Sequence, residues 1–262
     1  MTVSTPQSGA PLGVGSIVGG SFSILMGNFL SVVVLALGPT LLSTLLSGLL
    51  IGWSAAIGLG QPDFTGGPGV VAYILSVIGQ MVAYGLATAL IVQLAYDAKL
   101  QRNGSLGRYF GPGIGAALPI AILGLAMGIM VGIAAIALIL PGLWVYAVFS
   151  VMPAAVVIEK VGFGGLGRSA ALTKEYRWPI LGAIILVGVI TAVINGIAVF
   201  VVGMFFASSG GSGTSVAVGV LLITALNAIG TGLSSITIAL IYARLREIKE
   251  GTSLRDIVAV FD

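Results

Sequence analysis

All eleven Lys and Arg residues lie in three short stretches, 99–108, 160–177 and 244–255. Between them the chain is almost bare of charge. Residues 1–96 carry only Asp63, and 109–158 and 178–243 carry none. A helix crosses about 30 Å of hydrocarbon with about 20 apolar residues, each rising about 1.5 Å. Each uncharged segment therefore holds two crossings and a turn, and the pattern predicts six spans: 29–53, 70–95, 116–139, 142–158, 180–207 and 216–243. With 58% hydrophobic and 7% charged residues, against about 25% charged in a soluble domain, a water-soluble fold is excluded. The expected fold is all-α: a polytopic membrane helix bundle of six transmembrane helices in three hairpins.

The connections alternate in chemistry. Gly, Ser and Pro with one acid fill 54–69, Pro141-Gly142 joins the third and fourth spans, and SSGGSGTS fills 208–215. Basic residues fill the loops 96–115 and 159–179 and the C-terminal tail. Short loops rich in Lys and Arg stay cytoplasmic, which places both termini inside. Aromatic belts follow the same orientation: Trp53, Tyr73, Trp144 and Tyr146 fall near the outer ends, and Tyr96, Tyr109, Tyr176, Trp178 and Tyr242 near the inner ends. With no Lys or Arg in the first 28 residues, no secretory n-region precedes the first apolar run, and that helix is expected to be retained.

Three domains are expected: a mobile N-terminal tail (1–15), the six-helix transmembrane region (16–246) and a cytoplasmic C-terminal tail (247–262) whose Leu254, Ile257, Val258 and Phe261 form a short amphipathic helix. Glycine-rich, weakly amphipathic stretches at 16–30, 104–115 and 162–178 precede each pair of spans and read as short interfacial elbow helices. In the first, Ile17, Phe22, Leu25 and Phe29 make the apolar stripe. Prolines 39, 119 and 153 each remove a backbone donor and are expected to kink their helices.

Gly124, Gly128 and Gly132 share one face of the third span, a spacing that lets helix backbones approach closely; packing within this chain is the expected use. Polar side chains form stripes on three spans: Gln80 and Tyr84, with Tyr73, Ser76 and Thr88, on the second; Asn195, with Thr191, on the fifth; Asn227 and Thr231, with Thr224 and Ser234, on the sixth. They serve interhelical hydrogen bonds, or line a polar cavity between spans two, five and six. The stripes contain no ionisable acid or base, which disfavours ion-coupled transport.

Catalysis finds little to work with. Cysteine and histidine are absent, no metal cluster or nucleophile motif accompanies the acids, and neither cofactor nor metal is implied. The net charge of +3 flanks membrane helices and is interleaved with acids, so anionic membrane lipids are the expected partners, with other membrane protein subunits a further candidate, and not nucleic acid. Arg168, Lys174, Arg177 and Trp178, with Arg102 and Arg108, are the candidate head-group or partner contacts.

GRSAALTKEYRWPILG (167–182), IYARLREIKEGTSLRDIVAVFD (241–262) and LILPGLWVYAVFSVMPAAVVIE (138–159) resemble the membrane domain of bacterial glycerophosphoryl diester phosphodiesterases and the stand-alone YciC-like inner-membrane proteins. Arg168, Ser169, Leu172, Thr173, Lys174, Arg177, Trp178 and Gly182 match that pattern, while Glu175 and Tyr176 depart from it. The resemblance implies a six-helix protein of the bacterial inner membrane and does not extend to phosphodiesterase activity. The expected role is non-enzymatic: organising lipid or a partner membrane complex through the basic cytoplasmic face. The alternative is a passive transporter or lipid-handling protein with a polar path between spans two, five and six.

Overall fold

The structure is a computed structural model that describes residues 11–58, 60–64, 66–102, 105–208 and 213–251. It is helical, with no strand among the described residues. In chain order the helices are α1 (Val14–Gly27), α2 (Phe29–Ile51), α3 (Trp53–Ala56), α4 (Gly66–Lys99), α5 (Phe110–Ala137), α6 (Ile139–Phe149), α7 (Met152–Ile158), α8 (Gly165–Thr173), α9 (Arg177–Ser208) and α10 (Gly213–Glu250). Six helical stretches are long and apolar enough to cross a membrane: α2, α4, α5, α6 with α7, α9 and α10. The chain is a multi-pass membrane protein.

The helices end where the sequence gives them reason to. Gly52, at φ 88°, turns the chain after α2, and the Trp53 ring folds back over Gly48, where an added Cβ would lie 2.2 Å from the ring. Lys99 and Lys249 stand in the last turns of α4 and α10, where positive charge complements the helix dipole. Gly251, at φ 64°, follows α10. That helix runs past the expected boundary at 246. The expected amphipathic tail helix falls at 252–262, and the N-terminal tail falls mainly at 1–10; both lie outside the described residues.

Proline effects differ by site. Helices α2 and α5 run through Pro39 and Pro119. The fourth span is instead broken at Ser150 and Val151, between α6 and α7. The reason is local: Pro153 has no N–H to offer the carbonyl of Phe149, four residues earlier, so α6 ends there and a new helix starts with Pro153 in its first turn.

The elbow stretches take three forms. The first is α1, which buries Ile17, Val18, Ser21 and Leu25 and packs against α10 and α9; Phe29, expected on its stripe, opens α2 and is exposed. The second is a four-residue 3₁₀ turn, Leu106–Tyr109, that runs directly into α5. The third is α8, preceded by a 3₁₀ turn at Gly162–Gly164.

Packing is uneven along the bundle. α10 is its centre and lies against α1, α2, α4 and α9. Buried residues of α4 concentrate from Ala83 to Asp97, those of α5 from Gly113 to Leu123, and most of those of α10 from Ala228 to Ile248. Tyr242, Ile241, Leu245, Leu90, Met152, Leu172 and Ile180 are fully buried there. Each of these segments is the half of its helix next to the basic loops. The opposite halves expose Ile74, Ile78, Ile133, Ile136, Phe200 and Met204, and hold together a small cluster of Ile57, Val202, Val220 and Ile223.

Close helix contacts use glycines other than those the spacing singled out. An added Cβ on Gly85 would lie 2.9 Å from the Ala117 carbonyl oxygen, and on Gly232 2.5 Å from Val32. Around Gly124, Gly128 and Gly132 such a Cβ would meet nothing within 4 Å. The expectation that these three pack helices within the chain is therefore corrected. A small face permits close approach but does not enforce it, and here α5 meets α4 on the face carrying Gly113, Ala117 and Ala121.

Candidate functional site

Two regions concentrate polar chemistry. The first is the end of the bundle where the basic stretches converge. Glu159, just after α7, is its hub. Arg168 on α8 grips it with two parallel hydrogen bonds, Nε to Oε2 at 2.7 Å and Nη2 to Oε1 at 2.8 Å, the bidentate geometry that makes arginine pairs specific. The Tyr242 hydroxyl donates to the same carboxylate at 2.6 Å. Arg168 also pairs with Glu250, and Arg246 with Glu250 at 2.8 Å. The hydrogen bonds that Arg168 donates to Glu159 hold the pKa of its guanidinium above its ordinary value, so it stays charged. Nearby, Glu247 binds Lys99 at 3.2 Å and Arg244 at 3.1 Å, and Asp97 pairs with Arg108. These bonds join α4, α7, α8 and α10 into one ionic layer.

α8 is seated by a second device. The hydroxyls of Ser169 and Thr173 both donate to the Val148 carbonyl at 2.9 Å, beside the break in the fourth span, and Leu172 is buried under them. Four residues of the GRSAALT motif, Arg168, Ser169, Leu172 and Thr173, thus dock α8 across α6 and α7.

The sequence-derived contact residues separate into two groups. Arg168 and Arg108 are engaged by carboxylates; Arg108 also lies over the Tyr109 ring at 5.4 Å. Lys174, Arg177 and Arg102 pair with no carboxylate among the described residues, and Lys174 is exposed. Arg177 opens α9. Its guanidinium lies 5.3 Å from the Trp144 ring centre, and its Nε is buried without a hydrogen-bond partner. Trp144 meets Trp178 edge to face at 5.2 Å, and Trp178 is 65% exposed. Assigning these two tryptophans to opposite membrane boundaries fails, because rings in contact cannot stand at interfaces about 30 Å apart. α6 alone is 11 residues, about 16 Å, so it cannot carry Trp144 across.

The second region lies within the spans. A cavity of about 480 Å³ opens between α4, α5, α6 and α7. Its polar lining is Gln80, Tyr84, Tyr146 and Ser150, and Gly124 and Gly128 form part of its wall. It differs from the expected path between spans two, five and six. α10 stands between α4 and α9, so Gln80 and Tyr84 face this cavity while Asn195 and Thr191 approach Gly230 on α10, and Asn227 is exposed. Elsewhere polar residues serve as interhelical bonds: Gln80 to Ser47 at 3.1 Å and Thr237 to Ser21 at 3.0 Å.

Sequence reasoning missed Glu159 as a hub and Tyr146 and Ser150 as cavity residues. An acid beside Lys160 at a loop edge carries no sign of Tyr242, 83 positions away. Tyr146 was legible only as an interfacial ring.

A family model described as a domain of unknown function (DUF7847) matches residues 108–245, which include α5 to α9, the α8 motif and Arg177. No curated protein and no solved structure matches the chain.

Proposed function

The chain belongs to the DUF7847 family, and we propose that it is a non-enzymatic protein of the bacterial inner membrane that organises anionic lipid at its basic end, with both termini in the cytoplasm. One observation carries this reading: carboxylates neutralise Arg168, Arg108, Arg244, Arg246 and Lys99, and among the described residues none pairs with Arg177, which has Trp144 beneath it and exposed Trp178 alongside. A guanidinium that no carboxylate neutralises, next to a ring suited to the head-group layer, is matched to a lipid phosphate. Exposed Lys174 adds charge to the same edge, worth about 1 kcal/mol near an anionic surface. The ionic layer supports the site by fixing α8 and hence the start of α9. The resemblance to the membrane domain of glycerophosphoryl diester phosphodiesterases belongs to this reading and supplies its inner-membrane location.

The test is native mass spectrometry of the protein released from its own membrane, wild type against Arg177→Gln with Lys174→Gln. Retained phosphatidylglycerol or cardiolipin on the wild type, depleted in the double variant, is the expected result. Equal lipid occupancy in both overturns the proposal.

A further inference from the structure

The cavity between α4, α5, α6 and α7 has features that the basic end does not explain. Every described residue that lines it lies within a membrane-spanning helix, and none is charged. A phosphate or carboxylate placed there would be buried without a counter-ion, at a cost of several kcal/mol. The ligand must be uncharged, and it must enter from the hydrocarbon.

The walls indicate more. Met81, Met127 and Met152 line the space, three of the seven methionines in the chain. Thioethers pack adaptably and make favourable contacts with aromatic rings. Tyr84 and Tyr146 face into the same space. The Tyr146 hydroxyl makes no hydrogen bond to any described residue, and a polar group without a partner is costly where no water competes. Gln80 spends one amide N–H on Ser47 and retains its second N–H and its carbonyl oxygen. The cavity therefore offers hydrogen-bond donors and sulfur-rich walls without charge. A volume of about 480 Å³ lies in the range of small-molecule sites, about 300–1,000 Å³, which likewise combine apolar walls with a few polar groups.

We propose that this cavity binds the head of an isoprenoid quinone: a flat, uncharged ring whose carbonyl oxygens accept hydrogen bonds from Tyr146 and Tyr84 and whose prenyl chain extends into the bilayer. Gly124 and Gly128 keep the space open, since neither has another part of the protein within 4 Å of an added Cβ. A diacylglycerol is also neutral and carries carbonyl acceptors, but it lacks a flat conjugated ring for the methionine-lined walls to pack against.

The experiment uses the full chain in phosphatidylcholine nanodiscs, titrated with decylubiquinone and, separately, with dioctanoylglycerol. Saturable binding of decylubiquinone is expected, with no saturable binding of dioctanoylglycerol. Tyr146→Phe should weaken it about 5- to 10-fold, the effect of one hydrogen bond. Gly124→Leu, which fills the cavity, should weaken it more than about 10-fold without lowering the thermal unfolding midpoint, because its side chain enters empty space. Unsaturable decylubiquinone partitioning, equal affinity in wild type and Gly124→Leu, or dioctanoylglycerol binding in place of decylubiquinone each overturns the proposal.

Discussion

The two ends of this bundle are held together differently. At the basic end α4, α7, α8 and α10 are joined by a buried apolar core and an ionic layer centred on Glu159. At the other end α4, α5, α9 and α10 present exposed Leu, Ile and Phe, and among the described residues a small cluster links α9 and α10. The contrast teaches where the fold is decided. Lipid tails are as apolar as Leu, so burying a Leu against another helix in the membrane brings little hydrophobic gain, and close packing and polar bonds must supply the specificity. Both are concentrated at the basic end. The far end is free to remain open, and the cavity between α4 and α7 lies where the tight half gives way to the loose one.

The contrast breaks most visibly if side-chain deletions cost the same at both ends. Ile241→Ala removes a fully buried side chain and is expected to cost about 4 kcal/mol, read as a fall in the unfolding midpoint of the detergent-solubilised protein. Ile197→Ala, on the exposed face of α9, is expected to stay within about 0.5 kcal/mol. Similar losses at the two positions would mean the far end is packed after all.

Glu159→Ala tests the ionic layer and comes next in size. It removes the acceptor that Arg168 and Tyr242 share, and a loss on the order of 3 kcal/mol is expected from breaking a partly buried pair. An unchanged midpoint would reduce the layer to surface decoration.

Glycine substitutions sharpen the same comparison at smaller scale. Gly85→Ala drives a methyl toward the Ala117 carbonyl and is expected to cost about 2 kcal/mol by forcing α4 from α5. Gly128→Ala meets nothing and is expected to be neutral or stabilising by up to about 1 kcal/mol, the gain in helix propensity. A reversed order would return the tight contact to the Gly124 to Gly132 face.

Six spans were legible in the sequence because charge is a one-dimensional signal: a segment without Lys, Arg, Asp or Glu has few places to be except lipid. The break in the fourth span was legible as a kink at Pro153, because a missing N–H is a local signal; the arrival of Ser169 and Thr173 at the Val148 carbonyl beside it was not. Partners were illegible. Arg168 reads as a free basic residue until Glu159 and Glu250 are brought to it from other elements, and Trp144 reads as an outer-belt ring until α9 places Trp178 against it. The glycine face misled for a related reason: a repeat of small residues marks where a neighbour can approach, and only the fold decides whether one does.

The central claim, that every cationic stretch gathers at one face of the membrane and that this face is cytoplasmic, is tested most directly by labelling. The chain has no cysteine, so single cysteines at Gln61 and Ser105, both exposed, can be probed with a membrane-impermeant maleimide on intact cells. The account expects Gln61→Cys to label at once and Ser105→Cys only after permeabilisation. Labelling of Ser105→Cys in intact cells would contradict it.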